Sequence, residues 1–404
     1  MANLLFLPVP EFGHIIPPLK LAKALQQRGH KVYYVGFADF ESYVRSQGLD
    51  YITIFECRYP KGYLDTRIEK QVKLKTDRLS LMLAEAKETN DHLARDPLSA
   101  FESEMLRIFQ RVEPDLVIVD NMLRDLAALL AHKHGAPAVR LAVHFEEARI
   151  ALSDLRSSPS YPPVPALVLC PKEIDFSGSA KKQNYYYLEP SVDTDKQETQ
   201  VFPWERLHED RPIIYCSLGS QCHQYPDAPG LFRAVRDAVA ERPEWQLVMT
   251  IGPYLKTEEY EGSKAENIVI VNWAPQCQIL ERASMMITHG GLGALKECAF
   301  FGVPMIVLPC KWDQPYNAAR VVHHGIGLRG NSQDKSTKQI HALIDGIAGN
   351  RALKPRLQAM SEIFQAIETS GIGVNTIEKL VLDFRRGSGA ARSECSPRIA
   401  GARA

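Results

Sequence analysis

Short apolar runs alternate with amphipathic stretches along this chain. LLFLPV (4–9) precedes a stretch from Pro18 to Arg28 with helical spacing of its apolar residues, and KVYYVGF (31–37) precedes a second near 39–47. DLVIVD (115–120) leads into MLRDLAALLAHKHG, and APAVRLAV (136–143) follows. These strands read as continuous apolar runs rather than alternating ones, which predicts parallel sheets covered by helices on both faces. Periodicity is lost across 155–210, a segment rich in Pro, Ser, Tyr and charge, and the linker is expected there. The pattern restarts with PIIYCSLGS (212–220) and runs through QLVMTIG (246–252), NIVIVNW (267–273), SMMITHGG (284–291) and VPMIVLPC (303–310). The expected fold class is α/β, with two doubly wound Rossmann-like domains, 1–200 and 201–385, facing a cleft. Helices from about 335 to 385 are expected to finish the second half, and the Gly- and Arg-containing tail 386–404 to be disordered. Such halves bind ligands at the carboxyl ends of their strands.

Composition narrows the picture a little. At 404 residues two cores are expected, and 45% hydrophobic with 24% charged residues is that of a water-soluble globular chain. Lys plus Arg (48) balances Asp plus Glu (48), so no overall field draws the chain to nucleic acid. The eight cysteines show no metal-ligand spacing and several sit inside apolar runs, as reduced buried thiols would. The amino-terminal run is short, lacks a basic flank and meets prolines at once, so it reads as a strand and not a signal peptide. No run of about 18 apolar residues exists to span a membrane. A cytoplasmic location follows as an expectation.

The densest chemistry lies between Trp273 and Ala318. THGGLGALKE places a strand end at Thr288, a glycine-rich turn at Gly290–Gly293 and a helix from near Leu292. Free backbone amides and the helix dipole at such a turn favour phosphate. By itself the turn is about as well explained by tight helix-on-sheet packing. It is neither a dinucleotide fingerprint nor a P-loop. Its neighbours add to it: WAPQCQIL (273–280) comes before, and GVPMIVLPCKWDQPYNA (302–318) after. Together these segments closely resemble the nucleotide-sugar signature of the UDP-dependent glycosyltransferases of GT-B fold, which include plant secondary-metabolite and bacterial macrolide and carotenoid enzymes.

The resemblance implies a role for each matching residue. Trp273 would stack on uracil and the main chain of Ala274 would bond its edge. Gln276 and Glu297 would face the ribose. His289, with the amides of Gly291, Gly293 and Ala294, would hold the diphosphate. Asp313 and Gln314 would read sugar hydroxyls, which points to glucose. Family members commonly carry Ser or Thr where this chain has Ala294, and loss of one hydroxyl contact costs on the order of 1–2 kcal/mol. Ser220, in the loop after the strand at 213–218, is the candidate to compensate.

In the first half, PVPEFGHIIPP ends the first strand, and the family's similar GH-x-x-P loop carries its general base, which maps to His14. An acceptor hydroxyl must lose a proton as it attacks the anomeric carbon, and a neutral imidazole suits that task. Asp120 is the matching carboxylate, with a helix N-cap as its alternative role. The implied reaction is an inverting single displacement onto a small, lipophilic natural-product acceptor. It would need no metal and no cofactor, the UDP-sugar being a co-substrate. Two further functions stay open: a sugar-nucleotide epimerase of the same fold, and a non-catalytic auxiliary relative. Thymidine-linked sugars are an alternative donor class. The acceptor would contact 55–100 and 144–170.

Other features weigh less. Asp193-Thr194-Asp195 mimics a metal-binding DxD but lies in a polar stretch without a strand ahead, so a solvated linker is expected. His132 and His134, two apart on a helix, face different ways. His323 and His324 are expected at a surface or helix end. The segment 67–86 reads as a packed helix, with a lid over the acceptor or a weak contact with a membrane surface as alternatives.

Overall fold

The computed structural model describes residues 1–74, 97–145, 161–162, 164–176, 184–194, 201–262 and 265–394. Two parallel sheets carry the fold. The first has seven strands in the order β3-β2-β1-β4-β5-β6-β7: Asn3–Leu7, Lys31–Gly36, Asp50–Thr53, Leu116–Asp120, Ala138–Ala142, Ala166–Val168 and Tyr185–Tyr187 for β1 to β7. The second has six in the order β10-β9-β8-β11-β12-β13: Ile213–Ser217, Gln246–Thr250, Ile268–Val271, Ala283–Thr288, Met305–Val307 and Gly327–Arg329 for β8 to β13. The central strands β4, β5, β8 and β9 are buried along their whole length, which is why they read as unbroken apolar runs. The α/β, two-sheet expectation holds.

Strand order reverses between β1 and β4 in one sheet and between β8 and β11 in the other. At such switch points the connections leave in opposite directions and open a crevice at the carboxyl edge. Register places Leu7 beside Val119, and Ser217 beside Thr288, which in turn lies beside Val307. The loops carrying His14, Asp120, Ser220, His289 and Asp313 therefore all leave the sheets at these edges.

Three differences from the sequence reading stand out. Strands β6 and β7 fall inside 155–210 and extend the first sheet, so the connection between halves begins only after Tyr187. Each is three residues long, too short to show a period. Second, the final helix, Ile372–Glu394, does not finish the second half. Its Val374, Ile377, Leu380 and Val381 join the core of the first half, and Arg385 pairs with Asp115 at 2.8 Å. Third, that helix continues to Glu394, nine residues into the expected tail, and residues 395–404 lie outside the described ones. Most of 67–86 also lies outside them; the helix Tyr63–Leu74 covers its start. No helix among the described residues is long and apolar enough to cross a membrane.

Candidate active site

Beyond β1 the chain makes a single helical turn, Phe12–Ile15, that brings His14 toward the end of β4. His14 Nδ1 lies 2.8 Å from Asp120 Oδ2. The other carboxylate oxygen, Oδ1, accepts from the Met122 amide at 2.9 Å and caps the turn Asn121–Leu123. The dyad and cap roles thus coexist, one oxygen each. Burial works to depress the His14 pKa, but the charge and hydrogen bond of Asp120, with the charge of Asp313, leave it above the ordinary value. Burial pushes Asp120 up, but the His14 charge and hydrogen bond, with the Met122 amide and the charge of His144, together leave its carboxyl below the usual range.

The phosphate-type loop follows β11. His289 fits between two glycines: a Cβ on Gly219 would lie 2.6 Å from its Cε1, and one on Gly291 would lie 2.7 Å from its Nε2. Gly219 also has φ +79°, a backbone region that other residues rarely adopt. Burial pushes the imidazole down to about 4, with the Ser217 carbonyl opposing, so the ring is neutral at pH 7. The helix Leu292–Phe301 then starts at N-cap Gly291, and no side chain caps it. Its first amides have no acceptor within the helix. A Cβ on Gly293 would meet nothing within 4 Å, so there is room at this terminus. Ala294 is buried beside it, and Ser220 sits in the turn after β8.

Gln276 donates its amide to Glu297, and Tyr215 donates to Gln276 Oε1 at 3.1 Å, so the pair assigned to ribose is held from the strand below. Trp273 is half-buried and Ala274 buried at the start of this segment. Asn272 fixes the segment through two carbonyls, of Gly252 and Leu255, each at 2.7 Å. Ile16, Pro17 and Lys20 of the first half and Gln276, Gly293 and Glu297 of the second line a shared open cleft of about 100 Å³.

Asp313 and Gln314 separate in role. Gln314 is buried: its Oε1 accepts from the Cys310 and Lys311 amides, both at 2.8 Å, and its Nε2 donates to Tyr225 Oη at 3.1 Å. It clamps its own loop, because a buried amide must satisfy its polar atoms. Asp313 is half-buried, accepts from Asn317 Nδ2 at 2.8 Å, and feels His144 and His14 of the opposite half. Burial still leaves its carboxyl above the usual value. His144, 6.1 Å from His14 between ring centres, was not singled out by the sequence. Neither were Tyr215, Tyr225 and Arg320; a lone His, Tyr or Arg in an apolar run carries no spacing signal.

The weaker sequence features find structural partners. Asp193 lies 4.0 Å from Lys23, while Asp195 is outside the described residues, among which no group of His, Cys, Asp or Glu suits a metal. His132 meets the Pro162 carbonyl and His134 meets Glu102. His323 and His324 end their helix against Phe176 and the Ile174 carbonyl of the first half.

Comparison with known proteins agrees with this fold. Residues 248–367 match the family described as erythromycin biosynthesis protein CIII-like, C-terminal domain. The NDP-glycosyltransferase YjiC of Bacillus licheniformis is 26% identical over 389 residues, covering 88% of this chain and 91% of that protein. The crystal structure of the glycotransferase of kitacinnamycin has a TM-score of 0.71 at 21% identity, covering 94% of this chain and 99% of that one. The glycosyltransferase VinC, solved in complex with dTDP, has a TM-score of 0.68 at 17% identity, covering 95% and 100%. At these identities the solved structures establish a shared fold.

Proposed function

We propose that this chain, which belongs to the GT-B-fold glycosyltransferases of macrolide and carotenoid type, is an inverting enzyme that moves glucose from UDP-glucose to a hydroxyl of a small, lipophilic acceptor. The observation that carries this reading is the His14–Asp120 pair, 2.8 Å apart at the carboxyl edge of the first sheet, where His14 feels the charge of Asp313 from the second half, whose helix Leu292–Phe301 starts uncapped at its own carboxyl edge. With Nδ1–H donated to Asp120, His14 Nε2 carries the lone pair. Nε2 takes the acceptor proton as the hydroxyl oxygen bonds to the anomeric carbon. The bond from that carbon to the phosphate oxygen breaks, and the nucleoside diphosphate leaves with its electron pair. Asp120 stabilises the imidazolium that forms. The amides at 292–294 and the neutral His289 ring receive the charge of the leaving group, as oriented donors do in a low-dielectric site. The reaction so written uses no metal or cofactor.

Trp273 and Ala274 are assigned to the base, Gln276 and Glu297 to the ribose, and Asp313 to the sugar hydroxyls; Gln314 supports Asp313 from within the loop. A lipophilic acceptor is supported by an aromatic shelf at the same carboxyl edge. Phe37 follows β2, Phe55 follows β3, and their rings pack with Tyr59, Tyr63 and Phe101 at 4.5 to 6.4 Å.

The test is ligand-induced stabilisation with UDP-glucose, UDP-galactose, UDP-N-acetylglucosamine and dTDP-glucose, followed by transfer assays. UDP-glucose is expected to give the largest melting shift. The His14→Ala variant is expected to lose transfer while its UDP affinity stays within about twofold. Turnover retained in that variant defeats the dyad; a larger shift with dTDP-glucose reassigns the nucleotide.

A further inference from the structure

We infer that Arg320 is a positioning residue for the donor sugar, acting through Asn317 to hold the Asp313 carboxylate while it locks the second half onto Asp175 of the first. Arg320 lies in the helix Gln314–His324 and is fully buried. Its Nε and Nη2 reach Asp175 Oδ1 at 3.0 and 2.7 Å. The guanidinium packs against Phe145 at 3.8 Å and Phe176 at 4.7 Å, both from the first half. Asp175 is itself fixed by the Phe176 amide at 2.8 Å and the Tyr187 hydroxyl at 2.6 Å.

The third arm of the fork connects this lock to the donor site. Arg320 Nη1 donates to Asn317 Oδ1 at 3.4 Å, and Asn317 Nδ2 donates to the Gly290 carbonyl and to Asp313 Oδ2, both at 2.8 Å. An asparagine amide has two unlike ends. A cation at Oδ1 dictates that the nitrogen faces the carboxylate; reversed, it would set oxygen against oxygen and nitrogen against a guanidinium. Arg320 thereby fixes the donor that holds Asp313, and anchors the same amide on the glycine loop. A buried ion pair is poorly justified by stability alone, since apolar side chains of similar size pack as well or better. A planar three-armed donor is what this junction needs, and lysine, a point charge on a flexible stem, cannot supply it. Because three of the groups around Arg320 come from the first half, docking of the halves and placement of the sugar-reading carboxylate become one event.

This inference rests on the assignment of Asp313 to the sugar. The experiment is titration calorimetry of UDP and of UDP-glucose with the full chain, wild type and Arg320→Lys. UDP carries no sugar, so the Kd ratio of UDP-glucose to UDP is expected to rise about tenfold in Arg320→Lys with UDP itself little changed. In an Asp313→Ala background the same substitution is expected to leave the ratio unmoved, as a double-mutant cycle requires of coupled groups. Equal weakening of both ligands, or an unchanged ratio, overturns the inference. Asp175→Asn keeps the shape and removes the charge, and is read by the same ratio should Arg320→Lys fail to fold. A wild-type protein that binds no sugar nucleotide defeats the proposed function instead.

Discussion

His14 illustrates how two neighbours set the state of one residue. Burial alone would depress its pKa, and Asp120 is the largest opposing influence, giving a net rise. A general base works when neutral, so activity falls as pH drops through this raised value. Asp120→Asn removes the charge and leaves burial to dominate. The acid limb of kcat/KM is therefore expected to move to lower pH, while the plateau falls about 10²- to 10⁴-fold. A pH–rate profile of both proteins checks this; an unshifted limb would mean another group sets it. His289 presents the opposite case, because burial without a carboxylate keeps it neutral, with a value of about 4. His289→Ala is expected to weaken UDP binding by about 1.5–3 kcal/mol, the range for a hydrogen bond to a charged group. His14 was legible in the sequence only through its loop motif, as one of twelve histidines. His144 was not legible, because its distinction is its place beside His14 and Asp313 in space, which leaves no local signal.

At the scale of the element, the turn and helix after β11 were legible because glycine spacing and a following apolar run are local signals. The helix begins at Leu292, as the sequence predicts. Gly291 has φ −62° and ψ 144°, angles that alanine adopts without strain. Gly291→Ala thus tests one contact alone, the approach to the His289 ring. UDP affinity is expected to drop at least about tenfold, with a modest fall in melting temperature from the displaced ring. Ala294→Ser, at the third helical position, is expected to tighten UDP-glucose binding or leave it unchanged; a marked weakening would mean that the loop holds the diphosphate elsewhere. The short strands β3, β6, β7 and β13 were not legible. They have three or four residues each, and pairing with a neighbouring strand defines them.

At the scale of the molecule, each half is completed by residues from the other. Phe145 and Ile174 of the first half belong to the core around the second sheet, and the final helix belongs to the core around the first. Ile377, fully buried there, is expected to cost about 2–5 kcal/mol on substitution by alanine, read as a lower urea midpoint. A chain ending at Ser370 is expected to expose the surface that Val374, Ile377, Leu380 and Val381 cover, and to aggregate unless a peptide of 371–394 is supplied. Retained solubility and an unchanged midpoint would show the helix to be dispensable.

The sequence by itself determined the two parallel sheets, the glycine turn with its helix, and the family signature across residues 273–318. All of these rest on periods and spacings a few residues long, which local sterics and burial translate directly into backbone. The resemblance implied that His14 pairs with Asp120, but only the tertiary structure decided that Asp120 serves as dyad and cap at once, that Gln314 turns inward while Asp313 faces two imidazoles, that Arg320 joins Asp175 to Asn317, and that the last helix crosses to the first half. Each of these depends on strand order, on packing between loops or on the docking of two halves, and contacts between residues far apart in the sequence leave no period in the chain.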